Sequence, residues 1–173
     1  MEGGMFAEIG ALKPDAVPEE VWPGEIFVRN APDDIVPLCR SAAERGFELV
    51  DLTCVEGFER EGRASLLYCM ERSGIRETLT LVCTIEDESA PSVDSIFSSA
   101  SWYERKIRDL FGVDFQDAFD KRRLVLHECY PEGFHPLKKS VPNSPFSPRT
   151  AIPVEEEYRF MPVQGDGSIR LLA

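Results

Sequence analysis

Three strand-like runs follow one another between Phe47 and Ile85, separated only by short turns. They read FELVDLTCVEGF, ASLLYCMER and ETLTLVCTI, and Glu61-Gly62 and Ser73-Gly74 supply the turn chemistry between them. A fourth run, EIFVRN (25–30), precedes them. Between the fourth run and Phe47, APDDIVPLCRSAAERGF opens with Pro32, Asp33 and Asp34, carries Arg40 and Arg45 late and stops at Gly46. Acids at the start, bases at the end and a terminal glycine predict a helix. A second helix is expected to start near Ser92 or Asp94. Its apolar residues Ile96, Ala100, Tyr103, Ile107 and Leu110 recur at steps of 4, 3, 4 and 3, one buried stripe, with Gly112 as the C-terminal cap. The order strand, helix, three strands, helix predicts an α+β fold, a mostly antiparallel sheet covered by two helices.

The 173 residues suffice for one domain with an extension, and 43% apolar residues can build a core. Residues 1–24, broken by Pro and Gly, read as a loose arm, and 25–129 as the α+β domain. From Tyr130 to Pro153 there are six prolines and few apolar runs. Such a segment cannot close a core of its own, so 130–173 reads as an extended C-terminal strap, disordered or ordered by another surface. Within it, GDG (165–167) between YRFMPV and SIRLLA reads as a hairpin turn.

The net charge of −12 argues against nucleic acid and against an anionic membrane as direct partners. The charge is uneven. Residues 101–140 hold eight Lys/Arg against seven Asp/Glu, which leaves −13 on the rest of the protein. The five cysteines (Cys39, Cys54, Cys69, Cys83, Cys129) are widely spaced without a Cys-x-x-Cys, which argues against zinc or iron–sulfur ligation, and Cys54, Cys69 and Cys83, set among apolar residues in strand-like runs, read as small hydrophobes. His127 and His135 lack helical metal-ligand spacing and read as polar surface or hydrogen-bonding residues. No run of 18 apolar residues and no basic, apolar-cored leader is present. Gly-x-Ser-x-Gly, the P-loop and Gly-x-Gly-x-x-Gly are absent, and Glu155–Glu157 read as a solvated run. Glu104 and Asp109 diverge on a helix, so they make a poor acid–base pair. As an isolated catalyst the protein is poorly equipped.

WYERKIRDLFG suggests a different use. With the apolar stripe turned inward, Glu104, Arg105, Arg108 and Asp109 are expected on the flanks and outer face, with Trp102 one position off the stripe. Trp and Arg are enriched at interface hot spots. Arg122 and Arg123 border an apolar run, and Lys138 and Lys139 follow a proline. A docking surface is the favoured reading, with a solvated helix as the plain alternative.

The blocks WYERKIRDLFGV, RRLVLHE and YPEGFHPLKK resemble the signature region of the 30-kDa subunit of respiratory NADH dehydrogenase (complex I). They are also similar to the equivalent module of energy-converting [NiFe] hydrogenases, including the formate hydrogenlyase type. That pattern runs approximately W-x-E-R-E-x-x-D-L-F-G-I, x-x-R-R-L-x-L-x-E and G-x-x-P-L-R-K-D-F. Trp102, Glu104, Arg105, Asp109, Leu110, Phe111 and Gly112 match the first block. Arg122, Arg123, Leu124, Leu126 and Glu128 match the second, and Gly133, Pro136, Leu137 and Lys139 the third. Three departures stand out: Lys106 where the family usually has Glu, FQDAFDK without the common Gly-His-Pro, and PLKKSV for Pro-Leu-Arg-Lys-Asp-Phe. The C-terminal YRFMPVQGDGSIRLLA resembles the linker that in fused homologues runs into the catalytic subunit, which favours the hydrogenase-like branch; the protein is expected to stop where that subunit would begin.

The resemblance implies a module without a cofactor. It implies as partners a large catalytic subunit and a small iron–sulfur subunit, with iron–sulfur clusters and a nickel–iron centre or flavin residing in them. It implies a location on the cytoplasmic side of the cell membrane, reached only through those partners. Trp102, Glu104, Arg105, Asp109, Arg122, Arg123, Glu128, Lys138 and Lys139 are then the residues expected at the interface with those partners, with no catalytic residue. The rival readings are a free-standing α+β enzyme or ligand-binding domain and, more weakly, a regulatory or nucleic-acid-binding module.

Overall fold

The three consecutive runs do pair in sequence, as one side of a five-stranded sheet in a computed structural model that describes residues 19–59, 62–74, 77–141, 160–162 and 169–171. Strands β1 (Glu19–Trp22) and β2 (Glu25–Asn30) form a hairpin, so the described end of the expected arm belongs to the sheet. Helix α1 (Ile35–Glu44) follows a short 3-10 turn at Pro32–Asp34 and buries Ile35, Leu38, Cys39 and Ala42, the i, i+3, i+4, i+7 pattern of one apolar face. It ends at Gly46, whose φ of 82° suits the reversal into the next strand. Strands β3 (Phe47–Glu56), β4 (Ala64–Arg72) and β5 (Glu77–Ile85) then run as an antiparallel meander.

The strand order is β1-β2-β5-β4-β3, and β2 lies parallel to β5 at the centre. The sheet is therefore antiparallel at every described junction but one. Leu66, Tyr68 and Met70 of β4 and Leu79, Leu81, Cys83 and Ile85 of β5 point into one core with the buried residues of α1. The other face mixes Ser65, Thr80 and Thr84 with the paired Leu67 and Val82, and Ser65 Oγ and Thr84 Oγ1 lie 3.0 Å apart.

The second helix, α2 (Ala100–Phe111), is bracketed by β6 (Ser89–Pro91) and β7 (Asp114–Gln116), which pair parallel. It starts later than expected. Residues 93–99 form turns in which Ile96 and Phe97 N–H both donate to the Val93 carbonyl. Ser and Asp side chains in this stretch bond elsewhere and compete with helical backbone pairing. Gly112 caps α2 as expected, with φ 75° and its N–H donating to the Arg108 carbonyl at 3.0 Å. Strands β8 (Phe160–Pro162) and β9 (Ile169–Leu171) pair antiparallel, as a hairpin around GDG requires. The turn itself, and most of the expected strap, lie outside the described residues.

A candidate docking surface on helix α2

Helix α2 packs along β3 through its first turns. Ser99 Oγ donates to the Leu49 carbonyl and Tyr103 Oη to the Val50 carbonyl at 2.7 Å. These bonds occupy carbonyls on an edge strand that would otherwise stand open beside a bulge between Leu49 and Asp51. Lys106, the departure from the family's Glu, lies 4.0 Å from Asp51 on the same strand and over the Tyr103 ring. Its charge is directed within the domain.

The face that α2 buries is turned slightly from the expected stripe. Ala100 and Ile107 are buried and Tyr103 and Phe111 pack against the core, but Glu104 sits among them at 2% exposure. The expectation that Glu104 and Asp109 lie on the flanks and outer face is thus corrected: Asp109 is 7% exposed. A carboxylate can be buried when donors surround it. Glu104 Oε1 accepts the Val93 N–H at 2.8 Å and Oε2 the Ser92 hydroxyl at 2.7 Å, which ties the 92–99 segment to the helix. Desolvation nevertheless pushes the Glu104 carboxyl up to about 7, against the lowering effect of those two bonds.

Asp109 acts in the same manner on the other side. Its Oδ2 accepts three consecutive backbone N–H groups, from Leu124, Val125 and Leu126, at 2.8, 2.7 and 3.2 Å. The arginines hold the opposite polarity of that loop. Arg105 donates to the Arg122 and Arg123 carbonyls and pairs with Asp120 at 3.2 Å, and Arg108 donates to the Lys121 carbonyl. Arg123 donates to the carbonyls of His127, Tyr130 and Pro131. A loop without regular backbone pairing is hung on charged side chains instead, which meets the demand that its polar groups find partners.

The third block closes the helix end. His135 Nδ1 lies 2.9 Å from the Asp109 carbonyl, and the Leu137 N–H donates to the Leu110 carbonyl, so two carbonyls orphaned at the helix terminus are satisfied from a distant segment. The His135 ring lies over Gly112, where a Cβ would fall 2.7 Å from its Cδ2. Lys138 then pairs with Glu88 at 2.7 Å, and the Lys139 N–H donates to Glu56 at 2.7 Å. Residues 135–139, expected at the base of the strap, are bonded to this domain.

Of the nine expected contact residues, Glu104, Arg105, Asp109 and Arg123 therefore work mainly inside the molecule, and Lys138 is engaged there. Trp102 (62% exposed), Arg122, Glu128 and Lys139 face outward. The structure adds apolar residues that charge-based reading passes over: Phe119, Val125 and Leu137 are all exposed on the loops that the charged side chains hold. A cleft of about 490 Å³ between these loops is lined by Arg108, Asp109, Lys121, Arg123, Phe134 and His135. Its cations already bond carbonyls or pair with Asp114, at 3.1 Å from Lys121, and no nucleophile with a base lines it. Among the described residues there is no cluster of His, Cys, Asp or Glu able to hold a metal ion.

This is an α+β scaffold whose charged side chains fix exposed loops by bonding their backbone groups. The chain belongs to the family described as respiratory-chain NADH dehydrogenase, 30 Kd subunit, which it matches over residues 28–147. It is 29% identical over 166 residues to the C subunit of NADH-quinone oxidoreductase from Rhodobacter capsulatus, an alignment that takes in 92% of this protein and 82% of that one. The corresponding C subunit from Hyphomonas neptunium is 32% identical over 144 residues, with 80% and 70% taken in. Among solved structures, a polypeptide of the membrane-bound sulfane sulfur reductase, an archaeal respiratory membrane complex, aligns with a TM-score of 0.69 at 25% identity, over 79% of this protein and 82% of that one. A trypsin-resistant fragment (1–134) of Nqo5 shares the fold, with a TM-score of 0.58 at 20% identity over 69% of this protein and 99% of the fragment. Among the described residues no helix is long and apolar enough to cross a membrane.

Proposed function

We propose that this protein is a docking subunit without a cofactor of its own in a membrane-associated redox complex. It binds a large catalytic subunit and a small iron–sulfur subunit, and the iron–sulfur clusters and the nickel–iron centre or flavin reside in them. The observation that carries this reading is the use of the family's charged signature. Glu104 accepts the Ser92 hydroxyl and the Val93 N–H, and Arg105, Asp109 and Arg123 bond backbone groups of 122–131, which makes them fasteners for a displayed surface. The membership of its relatives in respiratory complexes supports a subunit role. The absence of a transmembrane helix among the described residues accords with attachment to the cytoplasmic side of the membrane through partners.

The test is purification of the tagged protein from native membranes, with identification of co-purifying subunits and metal analysis. Recovery of a large and a small redox subunit with bound iron is expected. Nickel with the iron assigns the complex to the hydrogenase branch, and flavin without nickel to the NADH dehydrogenase branch. Recovery of the protein alone, or a flavin or tightly held iron in the isolated protein, overturns the reading.

A further inference from the structure

Phe119 is 94% exposed, the most exposed large apolar side chain among the described residues. An aromatic ring in water is a standing cost to solubility, and in a floppy loop it would fold back onto the protein. Here the backbone prevents that. The Phe119 N–H donates to Asp94 Oδ2 at 2.7 Å. Two residues earlier, Asp117 holds φ at 60°, the left-handed region that non-glycine residues rarely adopt. One residue later, Asp120 is clasped between Arg105 at 3.2 Å and Arg122 at 2.7 Å, and the Arg122 N–H donates to the same carboxylate at 2.9 Å. These contacts fix the loop on both sides of the ring. The clasp also reaches a second exposed aromatic, because the Arg105 guanidinium lies 5.7 Å from the Trp102 ring centroid. The family's Gly-His-Pro is missing from this same segment.

We propose that Phe119 is a preformed anchor that inserts into an apolar pocket on a partner subunit of the redox complex, with Trp102 and the Arg105–Asp120–Arg122 clasp beside it at the contact. The proposal rests on the docking reading above and specifies where contact is made. The occupant follows from charge. The four cations Arg105, Arg108, Lys121 and Arg122 around this loop are matched by four carboxylates, Asp94, Asp114, Asp117 and Asp120, so the ground around the ring offers an approaching surface almost no net charge. An uncharged apolar pocket meets no penalty there. A second copy carrying −12, or an anionic bilayer, is repelled by the rest of the molecule. Burying an aromatic ring already held in place removes a large apolar area from water with little further ordering, the condition under which one residue dominates an interface.

The experiment compares tagged wild-type protein with Phe119→Ala and Phe119→Leu, each purified from native membranes, with the large and small subunits quantified by mass. Because the ring touches no core, all three proteins are expected to melt alike. Phe119→Ala should recover the partner subunits about tenfold less well or worse, and Phe119→Leu should retain much of the yield. Full recovery with Phe119→Ala, while wild type brings its partners, overturns the anchor and leaves the docking reading standing. Failure of wild type to bring any redox subunit overturns both. Sedimentation of the isolated protein supplies a further check: a wild-type dimer that Phe119→Ala dissolves would make a second copy the occupant and overturn the proposal.

Discussion

Glu104 places a carboxyl in the core at 2% exposure, with Asp94 adding like charge and the buried Cys39 and Tyr68 within its field. Its ordinary value of 4.5 is raised to about 7, desolvation being the largest cause. The native state therefore keeps a proton that the unfolded state releases, and the sign follows from linkage. Stability from this group is full below about pH 4.5, declines as pH rises, and levels off above about pH 7, a total of roughly 3 kcal/mol. Glu104→Gln preserves an acceptor for Val93 N–H and should flatten that decline; urea melts between pH 5 and 8 would show it, and an unchanged slope in the variant would locate the proton elsewhere. The thiols behave differently. Burial pushes Cys39, Cys54 and Cys83 up to about 12, whereas Cys129 is exposed. A thiol reagent at pH 8 should thus modify Cys129 first in the folded protein, and mass mapping that finds Cys39 or Cys83 labelled early would contradict the core described above.

Helix α2 carries most of the site, and its C-terminus shows how tightly helix and loops are joined. Gly112 combines φ 75° with a Cβ position 2.7 Å from the His135 ring. Gly112→Ala should cost about 1–2 kcal/mol from backbone strain and more from displacing the His135 ring. The two neighbouring arginines should part company. Arg123→Glu removes donors from three carbonyls and should destabilise the isolated domain by roughly 1–3 kcal/mol. The Arg122 side chain, 84% exposed, pairs among the described residues with Asp120, so Arg122→Glu should leave the melting temperature nearly unchanged and act on partner binding. Equal melting losses in both variants would refute this division. In the sequence the pair reads as one docking feature, because adjacency along the backbone does not reveal which guanidinium turns inward.

At the scale of the molecule, residues 135–139 bond to the end of α2, to Glu88 and to Glu56, so they are joined to the α+β domain. A protein ending at 129 should melt about 5 °C or more below one ending at 141. Identical melting of the two truncations would mean that this segment is bound too weakly to matter, and that the domain ends at residue 129, where the onset of prolines places its boundary.

Periodicity and turn chemistry in the sequence alone determined the α+β fold, the strands from Glu25 to Ile85, the first helix and the Gly112 cap, because these follow from interactions between residues close along the backbone. The signature blocks established the family. Tertiary structure decided the rest. The parallel pairing of β2 with β5 joins segments some fifty residues apart, which no local pattern encodes. The burial of Glu104 and Asp109 could not be read from helical spacing, since a carboxylate is placed by the donors that meet it, and those come from residues 92–93 and 124–126. The exposure of Phe119 is likewise a tertiary fact: the ring stands in water because Asp94, Arg105 and Asp120, distant from one another in sequence, converge to hold its loop there.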